Sequence, residues 1–315
     1  MDVFSDVIAT MRIGRAKFTH SRRGGQWGNR FGPYPGAGFH IVLRGSCWML
    51  SPDGSPRLLT AGDVVFLPHG AMHGMSSSPD RVPAELPPEP EARGEDSFLG
   101  DGEHEPAPGE ALLLCGAYRL DRGQVHPFLR ALPEVIHIPA RPGHHPALRA
   151  AVDLLGADLT DARPGADAAL PALLDLLLVY LLRAWLDEEA SRRSGSGWCA
   201  ALTDPAVAAA LNHIHRRPAR PWTVQELGNE VGMSRTAFAR RFTSFVGQSP
   251  MAYLAWWRLS TAARILRDGD APLATVAQQV GYASEFAFSN AFKRTFGVAP
   301  GRFRREHRAA PVSVP

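Results

Sequence analysis

His73 closes the stretch "GDVVFLPHGAMH", Gly62 to His73. Glycine, then Pro-x-Gly, then histidine forms a tight turn that can present an imidazole to a metal or a ligand. Two more residues of suitable chemistry lie on apolar, strand-like runs: His40 in "FHIVLRG" and Cys115 in "ALLLCGAYRL". A His/His/Cys set suits zinc or another divalent metal of borderline softness, and a thiolate ligand makes binding sensitive to pH and oxidant. The same three residues could instead hydrogen-bond within a core or contact an organic effector. Cys47, in "GSCWML", stands where a strand could bring it to Cys115 as a redox partner. His69, His137, His144 and His145 read as surface or turn histidines without a role.

Positioning these residues requires a small β-barrel. Residues 1–142 supply its texture, short β-rich runs separated by glycine and proline turns, with an acidic, proline-rich mobile loop expected over 76–110. Over 143–200 the period becomes helical. Leu148, Val152 and Leu155 mark a first helix, and "ALPALLDLLLVYLLRAWLDEEA" a second that is apolar nearly all round and so must be buried on more than one side, within the chain or against a second copy. Its core run, Leu173 to Leu186, contains Asp175 and Arg183 and reads as too short to cross a bilayer. "SRRSGSGW" then reads as a linker. The N-terminus has no uninterrupted apolar segment of the secretory kind, and three scattered cysteines form no framework, so a cytoplasmic protein with no membrane partner is expected.

The last third differs in charge. Residues 201–315 carry 15 Lys/Arg against 7 Asp/Glu, whereas residues 1–200 carry 19 against 24, an asymmetry that points to a nucleic-acid partner for the C-terminal end. This segment also contains a repeat: Val231-Gly232 matches Val280-Gly281 at an offset of 49, and Phe238, Phe242, Gly247, Pro250 and Tyr253 match Phe288, Phe292, Gly297, Pro300 and Phe303 at 50. Each copy predicts a short amphipathic helix stopped by glycine, a turn, and a second helix. The paired phenylalanines of that second helix face the core. Its other face is polar or basic: Arg235, Thr236, Arg240 and Arg241 in the first copy, Glu285, Ser289, Asn290, Lys293 and Arg294 in the second. Helix, glycine turn and helix is the arrangement that sends its second helix into a DNA major groove. Between the copies, "PMAYLAWWRLSTAARILRDG" predicts one helix of about eighteen residues, roughly 27 Å long, able to space two recognition helices about one DNA turn apart.

Residues 204–308 closely resemble the DNA-binding domain of the AraC/XylS regulators, above all in "VAQQVGYASEFAFSNAFKRTFGVAPGRFRR". The resemblance implies that Arg235, Thr236, Ala239 and Arg240 face bases or phosphates from the first recognition helix, and Glu285, Ser289, Asn290 and Lys293 from the second. Ala239 is shorter than the polar residues often found there and offers a thymine-methyl contact at most, and Lys293 and Arg294 suit phosphates. Gly62, Pro68, Gly70 and His73 resemble the second motif of the cupin barrels. The first cupin motif is degenerate, with Val42 where its second histidine belongs and Arg44-Gly45 near its end where glutamate and glycine are expected, so two of the four metal ligands of a cupin enzyme are missing. The implied architecture is α+β multidomain: a cupin-like sensor barrel (1–142), a helical connector (143–200) and an all-α tandem helix-turn-helix domain (201–308). The implied function is an effector- or redox-responsive regulator of promoter DNA, not an enzyme, with RNA polymerase a partner if it activates and a homodimer a candidate state. The competing reading is a metal-dependent cupin enzyme with an accessory DNA-binding tail.

Overall fold

The computed structural model describes residues 2–11, 16–34, 36–81, 84–85, 110–119, 125–160, 164–192 and 197–308. In chain order its elements are α1 (Val3–Met11), β1 (Lys17–Arg23), β2 (Gly28–Phe31), β3 (Gly36–Arg44), β4 (Ser46–Leu50), β5 (Pro56–Thr60), β6 (Val64–Leu67), β7 (His73–Ser76), β8 (Ala84–Glu85), β9 (Ala111–Arg119), α2 (Pro127–Arg130) and β10 (Ile136–Ile138). The helices α3 (Pro146–Thr160), α4 (Ala166–Arg192), α5 (Gly197–Thr203), α6 (Pro205–Arg216), α7 (Val224–Glu230), α8 (Arg235–Val246), α9 (Pro250–Asp268), α10 (Leu273–Gln279), α11 (Glu285–Phe296) and α12 (Pro300–Arg308) follow.

The chain divides into two compact units. The β-rich unit holds two five-stranded sheets, ordered β1-β9-β3-β6-β10 and β5-β4-β7-β2-β8. Side chains of both sheets meet in one core of Val42, Cys47, Met49, Leu59, Val65, Leu67, Met75, Ala111, Leu113 and Cys115. The central strand β3 is buried on both faces, which explains its unbroken apolar run. His40 and Val42 share the face turned to the common core, while Phe39 on the opposite face packs on Tyr118 with ring centroids 5.2 Å apart. The Tyr118 hydroxyl donates to the carbonyl of Leu174 at 2.7 Å, tying β9 to α4.

Helix α4 is longer than the apolar run suggested. At 27 residues it is long and apolar enough by composition to span a membrane. Leu170, Leu174, Leu177, Leu178, Leu181, Leu182, Ala184 and Trp185 are nevertheless buried within the protein, as in the core helix of a globular unit. Most of the acidic loop expected over 76–110 lies outside the described residues. At its ends, Ser76 belongs to β7, and Ala84–Glu85 pairs in parallel with β2.

The helical unit contains the described residues of 1–11, 121–131 and 190–315. These packing units differ from the expected partition, which placed the first two segments with the barrel at 1–142. Packing and a buried polar network hold them in the helical unit. Phe4 meets Phe128 edge-on at 6.1 Å, Asp6 accepts from Nδ1 of His215 at 3.1 Å, and the Tyr253 hydroxyl lies 2.8 Å from Nε2 of His215 and 3.3 Å from Nε2 of His126.

Candidate nucleic-acid interface and barrel site

Both expected helix pairs form, with the same local chemistry. Thr223 and Glu226 make a reciprocal capping box on α7, while Ser234 and Ser284 cap α8 and α11 by accepting from the backbone N–H three residues on. Gly232 and Gly281 take left-handed φ values of 70° and 83° in the turns between the paired helices, which side chains other than glycine rarely adopt. Phe238 and Phe242 pack at 5.6 Å in the first copy, and Phe288 and Phe292 at 5.6 Å in the second. The duplication is therefore structural as well as textual. The linking helix α9 has 19 residues and touches α6 and α8 as well as α10, α11 and α12, so it joins both helix pairs.

Burying one side of each second helix leaves the other in solvent. Arg235, Thr236 and Arg240 are exposed and Ala239 half-buried on α8; Glu285, Asn290, Lys293 and Arg294 are exposed and Ser289 half-buried on α11. The four α8 residues line a shallow open concavity of about 720 Å³ together with Thr243 and Ser244. Those last two were not singled out in the sequence, although they occupy the register of Lys293 and Arg294 in the repeat. Arg241 is exposed as expected, but its guanidinium also binds the carboxylate of Asp204, which caps α6, so it fastens α8 to α6.

In the barrel, His40, His73 and Cys115 come together. His40 pairs with Cys115 across β3 and β9, and His73 enters from β7 in the other sheet. Nδ1 of His40 lies 3.0 Å from the Cys115 sulfur, Nε2 of His40 lies 2.6 Å from Nε2 of His73, and Nδ1 of His73 lies 2.9 Å from the carbonyl of Ala71. Phe31 stacks on His73 at 5.2 Å and meets His40 edge-on at 4.8 Å. No sequence pattern pointed to Phe31; it arrives through the pairing of β2 with β7. Cys47 is buried in the same core as Cys115, and both thiols are free.

Burial sets the protonation of these groups. Both histidines are held below their ordinary value, His40 well below it, because burial disfavours the imidazolium; His73 adds repulsion to His40, and the bond to Ala71 partly opposes the shift of His73. Burial pushes the Cys115 thiol up to about 12, reinforced by Cys47, and Cys47 likewise to about 12, with Asp63 contributing. All three groups are therefore neutral, and their hydrogen bonds can run in only one direction. The Ala71 carbonyl only accepts, so His73 keeps its proton on Nδ1 and accepts at Nε2; His40 then donates from Nε2 and accepts at Nδ1, and the Cys115 thiol donates to it.

That line is not a coordination sphere for one metal ion. Two nitrogens bound at 2.0–2.1 Å to a tetrahedral ion stand roughly 3.3 Å apart, wider than the 2.6 Å between the two histidines, and Cys115 meets the opposite nitrogen of His40. Among the described residues, no group of three or more His, Cys, Asp or Glu side chains is arranged to hold a metal. His137 is also not the bystander expected, since it donates to the buried carboxylate of Asp63 at 3.3 Å.

A family model described as "Cupin" matches residues 2–187, and one described as "Helix-turn-helix domain" matches 227–306. A putative AraC-like transcription regulator of Streptomyces lividans is 35% identical over 97% of this chain and 98% of its own length. The transcriptional regulator AlkR of Acinetobacter baylyi is 29% identical over 97% of this chain and 100% of its own length. The DNA-binding domain of AdpA, solved in complex with a target DNA, is 33% identical over 35% of this chain and 95% of that one, with a TM-score of 0.31. The full-length relatives are transcription regulators and not enzymes, which removes the reading of a cupin enzyme with a DNA-binding tail. A barrel match covering more than half the chain, a helix-turn-helix match behind it and a relative alike from end to end show that the chain belongs to the AraC family of transcriptional regulators.

Proposed function

We propose that this regulator recognises double-stranded promoter DNA in a sequence-specific way through the exposed faces of α8 and α11, and that an effector or oxidant acting on the barrel alters that recognition. DNA recognition would place the protein in the cytoplasm. A homodimer is proposed as its state, and contact with RNA polymerase only for an activator.

The observation that carries the sensing reading is the fixed direction of the line from Cys115 through His40 and His73 to Ala71. An effector that draws the Cys115 S–H away from His40 removes the first donor. Nδ1 of His40 is then a buried acceptor without a proton to accept, a loss of about 1–3 kcal/mol. If both imidazoles shift their protons toward the sulfur, Nδ1 of His73 turns a lone pair on the Ala71 carbonyl across 2.9 Å. In that second case the disturbance reaches the turn between β6 and β7. Coupling energies of 1–3 kcal/mol between sites change affinity by about 5–150-fold, so a local loss of this size is sufficient for a switch.

Cys115→Ala deletes the donor, whereas Cys115→Ser keeps one. Operator affinity of the alanine variant, measured by fluorescence anisotropy, is expected to differ about tenfold from wild type. The serine variant is expected to match wild type. Equal affinity in all three proteins would show that the barrel does not signal through Cys115.

A further inference from the structure

Phe286 is the second residue of α11 and is 77% exposed, the most exposed large apolar side chain among the described residues. Single exposed apolar side chains are ordinary on protein surfaces and by themselves require no partner. Its register makes this one specific. At the offset of 50 that superposes Phe238 and Phe242 on Phe288 and Phe292, Phe286 is the counterpart of Thr236, one of the residues lining the concavity on α8. Both follow a serine N-cap by two positions and precede a buried phenylalanine by two, so the two copies present position two of the second helix alike. Along α11, Phe286, Asn290 and Lys293 stand at i, i+4 and i+7 and therefore share one face.

Resting on the reading of α11 as a recognition helix, we infer that Phe286 is a specificity-determining residue that reads the C5 methyl group of a thymine in the major groove. A phenyl ring has no hydrogen-bonding group for a phosphate or a polar base edge. The apolar feature that the major groove offers is the thymine methyl, and phenylalanine is among the side chains that pack against it. The N-terminal residues of a recognition helix are those that reach base edges, and Phe286 lies in the first turn of its helix. One helical turn, about 5.4 Å, separates it from Asn290, against a base-pair rise of about 3.4 Å. The thymine should therefore lie within about two base pairs of the base that Asn290 contacts. Glu285 beside it has an acceptor to offer, not an apolar surface, so the methyl contact falls to the phenyl ring.

The test uses the full chain and an operator selected from random duplex DNA at near-physiological salt. Replacing one thymine at a time by deoxyuridine removes only the methyl group and keeps base pairing. Wild type is expected to lose about fourfold affinity at one thymine, the factor that corresponds to one buried methyl group. Phe286→Ala is expected to bind thymine and uracil duplexes equally at that position and to keep the wild-type penalties elsewhere. Wild type indifferent to uracil at every thymine, or a Phe286→Ala variant that keeps the penalty, overturns the inference. Asn290→Ala and Lys293→Ala separate the two ways it could fail. If they weaken binding while Phe286→Ala changes nothing, α11 reads DNA and only the methyl contact is wrong. If none of the three variants changes binding, the recognition-helix reading fails with it.

Discussion

Phe292→Ala is expected to destabilise the helical unit by about 3–5 kcal/mol and to abolish operator binding, because removing a fully buried phenyl group costs its transfer energy and leaves a cavity. Phe292 is completely buried and is the hub of the second helix pair: its ring lies 5.6 Å from Phe288, 4.3 Å from Phe296 in a stacked pair and 5.2 Å from Phe303. Those partners come from α11 and α12 and pack in one core with residues of α9 and α10, so the four helices cannot close over the space independently. Urea denaturation followed by far-UV circular dichroism reads the loss, with exposed Phe286→Ala as the control expected to change stability by less than about 0.5 kcal/mol. A change below about 1 kcal/mol in Phe292→Ala would show that the second pair is not held by this cluster.

Gly70→Ala is the most damaging small change expected in the barrel. Gly70 has a left-handed φ of 62°, where a side chain costs about 1–2 kcal/mol. A Cβ there would also stand 2.0 Å from the carbonyl oxygen of Tyr34 and 2.9 Å from that of Gly36. Both obstacles are backbone, and the Tyr34 amide already donates to the Gly70 carbonyl at 2.9 Å, so the two segments are clamped. Strain and overpacking together give a loss of about 2–5 kcal/mol, and the displaced turn carries His73 away from His40. Gly54 has a φ of 81° but open space around its missing Cβ, so Gly54→Ala isolates the backbone cost of about 1–2 kcal/mol. Thermal melting of both variants checks the difference; equal melting points would mean that the close approach at Gly70 relaxes at no cost.

The Pro-x-Gly spacing that announces this turn was legible in the sequence because only glycine tolerates both the conformation and the crowding. The helix-turn-helix pairs were legible for a similar reason: repeated phenylalanines, glycines and prolines at offsets of 49 and 50 leave few other folds. Three things were not legible. The direction of the Cys115–His40–His73 line depends on a backbone carbonyl, which every residue possesses and no sequence marks. Arg241 looked free because its partner, Asp204, lies 37 residues away and its role as an N-cap gave no sign of a second bond. Residues 1–11 and the segment around His126 were placed with the barrel by their position in the chain. In the structure, contacts such as Asp6 with His215, 209 residues apart, pack them with the helices.

The exposed faces of α8 and α11 are the proposed DNA-reading surfaces. The most direct test is to select operators from random duplex DNA with wild type, Arg240→Ala and Asn290→Ala, and to measure affinity for the wild-type operator as salt is varied. Both residues are exposed on their helices, so neither substitution should disturb folding. Arg240→Ala is expected to bind about 10–100-fold more weakly, and Asn290→Ala to accept any base at one operator position at a cost of about 1–3 kcal/mol. Selected sequences, affinities and salt slopes indistinguishable from wild type in both variants would contradict the account.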